Sequence, residues 1–239
     1  MNDVRLQRQI GNEAMPDICF LDFDGDLTDW LVERKIAVPF RSWACFHTSM
    51  FVMELAAIRC GIIARTIGGP YAVLIAEQLQ TAGVRLIAGL TSAGRVSAEL
   101  PIPSLVVADS AIRDEGTSYH YLAPGNEVQC QANVTTVARE LAAAGFTVRT
   151  GKVWTTDAPY RETNAQFRKW TARGALAVEM QAASLFAFAN ARRAKVVVVA
   201  RVSNAVDHEG SQFDTGSNDA GLTILTAIAR AARLILAEP

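Results

Sequence analysis

Short apolar runs, separated by small or polar breaks, set the plan of this chain. Residues 18–22, 59–67, 84–89, 104–108, 146–153 and 195–201 are such runs, many of them β-branched, and each predicts a buried strand. Residues 71–82 and 131–144 carry apolar positions at helical spacing. Gly68-Gly69-Pro70 breaks the chain ahead of the first, and Gly145 ends the second. Residues 30–58, with Trp30, Trp43, Phe46 and Phe51, read as mainly helical, and Asn218 opens a closing helix after a Gly/Ser/Asp-rich loop or lid at 209–218. Strands alternate with helices from residue 17 to 237, without repeats or low-complexity segments. The pattern predicts an α/β fold, a single three-layer domain over residues 1–239 whose largely parallel or mixed central sheet is flanked by helices.

Residues 174–189 stand apart because they are apolar on almost every side from Leu176 onward, which predicts one helix buried nearly all round. Glu179 and Gln181 interrupt its first turns. A polar group buried without a partner costs about 1–3 kcal/mol. Both side chains therefore need partners, either within the protein or on a ligand.

Composition narrows the function classes. Of 239 residues half are hydrophobic, a fifth are charged, and the formal net charge is -1. No basic excess exists to hold nucleic acid or anionic lipid without specificity. Cys19, Cys45, Cys60 and Cys130 are scattered, so they predict reduced thiols, with neither a disulfide framework nor a zinc site. The first residues lack a signal-peptide pattern, and the most apolar run, 196–200, is too short to span a bilayer. A cytoplasmic protein is expected, with no membrane or nucleic-acid partner.

Three stretches carry candidate chemistry. Leu90-Thr91-Ser92-Ala93-Gly94 reads as a small-residue loop at a strand's carboxyl end, where backbone N–H groups and hydroxyls suit an anion. A packing turn of small residues is the plain alternative. Arg113, Asp114 and Glu115 read as a structural ion-pair cluster. His47, lying among aromatics, is either a ligand contact or a satisfied core residue.

Several motifs in order resemble one family. Val178-Glu179-Met180-Gln181 is similar to the Glu-Met-Glu element of the purine nucleoside and uridine phosphorylase superfamily. Gly68-Gly69-Pro70-Tyr71-Ala72, the Arg113 to Pro124 segment, the loop from Trp154 to Thr163 and Ser203-Asn204 resemble further elements of that superfamily. The resemblance runs from about residue 60 to 206 and implies cleavage of an N-glycosidic bond without metal or organic cofactor, with phosphate as cosubstrate and a nucleoside as partner. It implies that Met180 and Gln181 hold the sugar; Glu179 and His47 are further candidate substrate contacts, read from the residues alone. It places Tyr160, Arg161, Glu162 and Asn204 against the base, and Gly25, Thr91 and Ser92 around phosphate. Relatives are dimers, trimers or hexamers, so a homo-oligomer is expected.

The chain departs from the pattern at informative places. Gln181 stands where the family has an acid, and Asn204, where relatives can carry a proton-donating Asp, cannot transfer a proton. No arginine follows Gly25, and the phosphate-clamping arginine falls near Ala88, leaving Arg41, Arg65 and Arg95 as unplaced substitutes. A nucleoside hydrolase on the same scaffold and a catalytically silent nucleoside-binding protein are the alternatives. A rival of another class comes from Asp22-x-Asp24-Gly25-Asp26, which resembles the first motif of haloacid-dehalogenase-type phosphatases.

Overall fold

A computed structural model describes residue 11, residues 13–205 and residues 217–238. β1 (Ile18–Asp22) leads into α1 (Asp26–Glu33), then β2 (Val38–Pro39), β3 (Met50–Leu55) and β4 (Ile58–Ala64). α2 (Gly69–Ala82), β5 (Leu86–Arg95), β6 (Ser104–Asp114) and β7 (Glu127–Gln129) follow. The second half runs α3 (Val134–Ala143), β8 (Val148–Thr156), α4 (Asn164–Thr171), β9 (Ala175–Glu179), α5 (Ala182–Arg192), β10 (Lys195–Ala205) and α6 (Asn218–Ala237).

All these strands join one mixed sheet with two parts that share β5. β5, β10, β6, β8 and β9 pair in succession, and β9 returns antiparallel to the end of β5, closing a ring. β1 lies parallel to the first half of β5 and carries β4, β3 and β2 outward as an open wing. Helices cover both faces. α2 and α5 pack one apolar cluster, and α1, α3 and α6 pack the other. β10 shows the logic: Val196, Val198 and Val202 face the first cluster and Val197 and Val199 the second, as a central strand buried on both faces requires.

The expected α/β fold stands, and three local readings need correction. Residues 30–58 are helical only to Glu33, and β3 and β4 form a hairpin beyond. Its turn is Ala56-Ala57, both at positive φ (50° and 59°), so the Gly or Asn that usually marks such a turn is missing. Residues 174–189 are two elements, β9 and α5, with the turn at Met180-Gln181. An apolar run buried on all sides fits a central strand as well as a core helix, and the ring needs β9 to close. Residues 90–94 are not a loop but the second half of β5, where β1 gives way to β9 as neighbour. Gly89 is small there because a Cβ would come within 2.7 Å of the Phe23 ring.

α6 is long and apolar enough to cross a bilayer by composition, but half of that stretch is buried in the protein, with Ile224, Leu225, Ile228 and Ile235 in the second cluster. It is a core helix. The loop predicted at 209–218 lies largely outside the described residues. Ser217 is described and caps α6, its hydroxyl oxygen accepting from the Ala220 N–H at 3.4 Å.

Candidate active site

Gln181 sits where β9 turns into α5. Backbone N–H groups at the first turn of a helix have no partner within the helix, and here buried side chains from the ring supply them. Glu179 Oε2 accepts from Gln181 N at 2.6 Å and Ala182 N at 2.9 Å. The Thr155 hydroxyl donates to Glu179 Oε1 and accepts from Ala183 N at 2.9 Å. Ser184 donates to Glu115, which also accepts from Ser118 N at 3.0 Å. Burial pushes the Glu179 carboxyl up to about 7, and neighbouring Glu115 adds to the rise, while these donors oppose it. Glu179, expected to touch substrate, has both oxygens engaged inside the protein.

Gln181 reaches across to β5. Its Oε1 accepts from Met180 N at 3.2 Å and lies 3.5 Å from the Thr91 hydroxyl, which also donates to the Ser92 carbonyl at 2.8 Å. Gln181 and Thr91 are buried, and Met180 is half-buried. Residues ninety positions apart in the chain thus meet where the end of β9 lies against the second half of β5.

On the other side of β5, Ser92 has a partner that the sequence did not reveal. Its N–H donates to Asp24 Oδ2 at 2.9 Å and its hydroxyl to Asp24 Oδ1 at 2.8 Å. The two donors proposed for an anion are held by an internal carboxylate. Burial raises the Asp24 carboxyl above its ordinary range; the Ser92 bonds oppose that rise, Asp26 adds to it, and Arg201 opposes it. Asp22, Asp24, Asp26, Thr91, Ser92 and Arg201 line one narrow cleft there. Gly25, in the same turn, caps α1 at φ 93°, and a Cβ there would come within 2.6 Å of the Arg65 side chain. Asp22, the nucleophile of the phosphatase alternative, accepts from the Thr28 N–H at 2.8 Å and hydroxyl at 2.7 Å, and so caps α1.

Two of the three candidate cations are engaged elsewhere. Arg65 pairs with Asp29 through both terminal nitrogens, and Arg95 donates to the Leu100 carbonyl at 3.5 Å. Arg41 is exposed in the loop before β3. Arg201, passed over in the sequence, lines the Asp24 cleft and donates to the Ser217 carbonyl at 3.1 Å.

The loop expected against the base follows β8. Tyr160 is 100% exposed and Arg161 is also exposed, on a single 3-10 turn. Glu162 is half-buried, and burial pushes its carboxyl up to about 7. Asp157 ties the loop to Gly116 N at 2.8 Å. His47 is exposed rather than in the core, and its carbonyl accepts from the Tyr71 hydroxyl at 3.3 Å. The Asn204 backbone pairs with Gly94, while its side chain lies outside the described residues. Arg113, Asp114 and Glu115 form no ion-pair cluster with one another. Arg113 donates to Ser118 and to the Ala123 and Leu122 carbonyls, Asp114 accepts from Trp154 Nε1, and Glu115 braces α5. Alternate residues of a strand point to opposite faces, which separates Asp114 from Arg113, while Glu115 lies beyond the end of β6.

A mixed sheet closed into a ring, with buried polar groups gathered at its carboxyl strand ends, defines an α/β protein of the kind that binds small ligands in that position. The chain matches the phosphorylase superfamily over residues 17–237 and belongs to it. It is 27% identical over 202 residues to a guanosine phosphorylase of Halorubrum lacusprofundi, covering 83% of this chain and 79% of that protein. It is 26% identical over 136 residues to a DeoD-type purine nucleoside phosphorylase of Exiguobacterium sibiricum (54% of this chain, 55% of the relative). With the same type of enzyme from Myxococcus xanthus it shares 28% over 155 residues (62% and 63%). These similarities support a nucleoside phosphorylase at the level of the family.

Proposed function

We propose that this protein cleaves the N-glycosidic bond of a nucleoside and transfers the sugar to inorganic phosphate. One observation carries the reading: the Gln181 amide, which accepts from Met180 N, reaches Thr91 in the second half of β5, with Ser92 next along the strand. A sugar held there has its anomeric carbon beside a pocket for the acceptor. As the bond breaks, positive charge grows on the sugar and negative charge on the base, so the protein's task is positioning and charge stabilisation. Glu162, with its carboxyl near 7, is matched to giving a proton or hydrogen bond to a departing base at neutral pH. No cofactor is required, and the enzyme acts as a cytoplasmic homo-oligomer.

A second reading, with water as acceptor, is favoured by Asp24. An ionised carboxylate on both Ser92 donors repels phosphate and can orient a water instead. The experiment is a screen of purine and pyrimidine nucleosides with and without phosphate, following free base and sugar products. Release that rises and saturates with phosphate, giving a sugar 1-phosphate, supports the first reading. Equal release in phosphate-free buffer, giving free sugar, replaces it with the hydrolase. Nucleoside binding without release of base would leave the silent binding protein.

A further inference from the structure

The turn after β1 sets a condition on any anion that enters the cleft beside Ser92. The strand ladder places its acids. Asp22 pairs with Leu90, and Phe23 N donates to the Leu90 carbonyl at 3.2 Å. Asp24 therefore falls beside Ser92, accepting from its N–H at 2.9 Å and its hydroxyl at 2.8 Å. From the other side Arg201 pairs with Ser92 in the parallel ladder of β10 and β5. Ser92 shares a face with Leu90, and Arg201 with Val199, both in the second cluster, so the two side chains leave the sheet on the same side. Both line the cleft.

Charge decides what this cleft admits. Asp22, Asp24 and Asp26 line it, and Arg201 is the one cation among the described residues that do. The volume is about 20 Å³, room for little more than a water, so an entering oxyanion presses against Asp24 and cannot keep clear of it. An ionised oxygen set against a carboxylate is repelled. A protonated oxygen is held instead, because it donates. An ionised carboxylate has about four acceptor sites, and Ser92 takes two of those on Asp24. Asp22 is taken up by the Thr28 N–H and hydroxyl. Inorganic phosphate and arsenate keep a proton at neutral pH, whereas sulfate keeps none.

We propose that Asp24 makes the acceptor site specific for protonated oxyanions: it stays on Ser92, accepts from the P–OH group of hydrogen phosphate and leaves Arg201 to face the charged oxygens, so phosphate and arsenate bind and sulfate is refused. The inference rests on the reading above, that the cleft beside Ser92 holds the acceptor.

The test titrates the wild type, Asp24→Asn and Arg201→Met calorimetrically with phosphate, arsenate and sulfate at fixed ionic strength. Sulfate is also tried as an inhibitor of base release at limiting phosphate. The wild type should bind phosphate and arsenate about tenfold more tightly than sulfate, the worth of one hydrogen bond to a charged group. Asp24→Asn should bind every anion more tightly and sulfate most of all, bringing the ratio close to one. Arg201→Met should weaken all three anions together and keep the ratio. A wild type that takes sulfate as readily as phosphate overturns the inference without recourse to any variant, and phosphate-dependent release would still stand. A ratio unchanged in Asp24→Asn overturns it too. A preference that Asp24→Asn erases, in a protein whose base release ignores phosphate, upholds the inference and removes the phosphorolysis reading. No binding of any anion, together with release indifferent to phosphate, overturns both.

Discussion

Replacing Asp24 by Asn tests how the acceptor pocket discriminates. In the wild type a phosphate approaching Ser92 must displace a carboxylate that accepts bonds of 2.9 and 2.8 Å, or sit beside it. Two unit charges about 4 Å apart repel by roughly 4 kcal/mol at the effective dielectric near a protein surface. Arg201 in the same cleft offsets part of that, and Asp24 itself is only partly buried. Asn keeps the shape and removes the charge. About 1.4–2.8 kcal/mol of the repulsion should be recovered, lowering the phosphate KM roughly tenfold to hundredfold. The assay is base release against phosphate concentration at saturating nucleoside, with ionic strength held by chloride. Calorimetric titration with phosphate alone accompanies it, and Asp24→Ala serves as a second variant that frees both donors outright. A phosphate KM and Kd that stay the same or rise in both variants would refute the claim that Asp24 occupies the acceptor site.

Three further outcomes follow from the α5 cap and the buried thiols. Thr155→Val removes a hydroxyl that serves both Glu179 and Ala183 N, leaving a buried N–H unpaired, so denaturant unfolding should show a loss of about 2–3 kcal/mol; a loss under about 0.5 kcal/mol would deny the cap its weight. Glu179 holds its proton to about 7 in the folded state against an ordinary 4.5, so the native state binds more protons between these values. Stability should fall as pH rises through that window, by up to about 3 kcal/mol, and level off above it. Glu179→Gln should flatten the slope, and an identical slope in the variant would show that another group sets it. Burial pushes the Cys19 thiol far up and the Cys60 thiol to about 12, so neither should react with iodoacetamide at pH 8 in the folded protein, and alkylation within minutes would contradict the packing of β1 and β4.

The sequence disclosed the parts whose local signal matches their final environment. The valines of β10 announce a strand buried on both faces, and Pro70 at the start of α2 announces a helix. Where the environment decides, it said less. Ala56-Ala57 turns a hairpin with residues that do not advertise positive φ, and only the pairing of Leu55 with Ile58 reveals it. Residues 175–189 are apolar apart from Glu179, Gln181 and Ser184 and show no change of period, so the break between β9 and α5 comes from closure of the ring rather than from periodicity. The site divides in the same way. Gln181 was legible as a polar interruption of an apolar run, and Thr91 as a hydroxyl in a small-residue stretch. Asp24 was visible only as an acid after a strand, because its grip on Ser92 depends on the register that sets Asp22 beside Leu90. Arg201 gave no signal, since its place in the cleft follows from a parallel pairing with Ser92.

That pairing has a consequence for how the chain is made. β5 is the hinge strand of the molecule, yet its partner β10 lies about 110 residues further on, and loops of such length close late. While the ribosome is still adding residues between the two, the wing of β1, β4 and β3 has all its strands, but the ring gains β6, β8 and β9 one by one and lacks β10 to the end. Thr91 and Ser92 then stand at an open seam. The emerging polypeptide therefore carries a nearly finished half and an unfinished one, and its binding pocket is completed among the last events of synthesis. An apolar edge left open for that interval is what a chaperone would meet. Changes that weaken β10 should reduce the yield of soluble protein well before they alter the site in molecules that do fold.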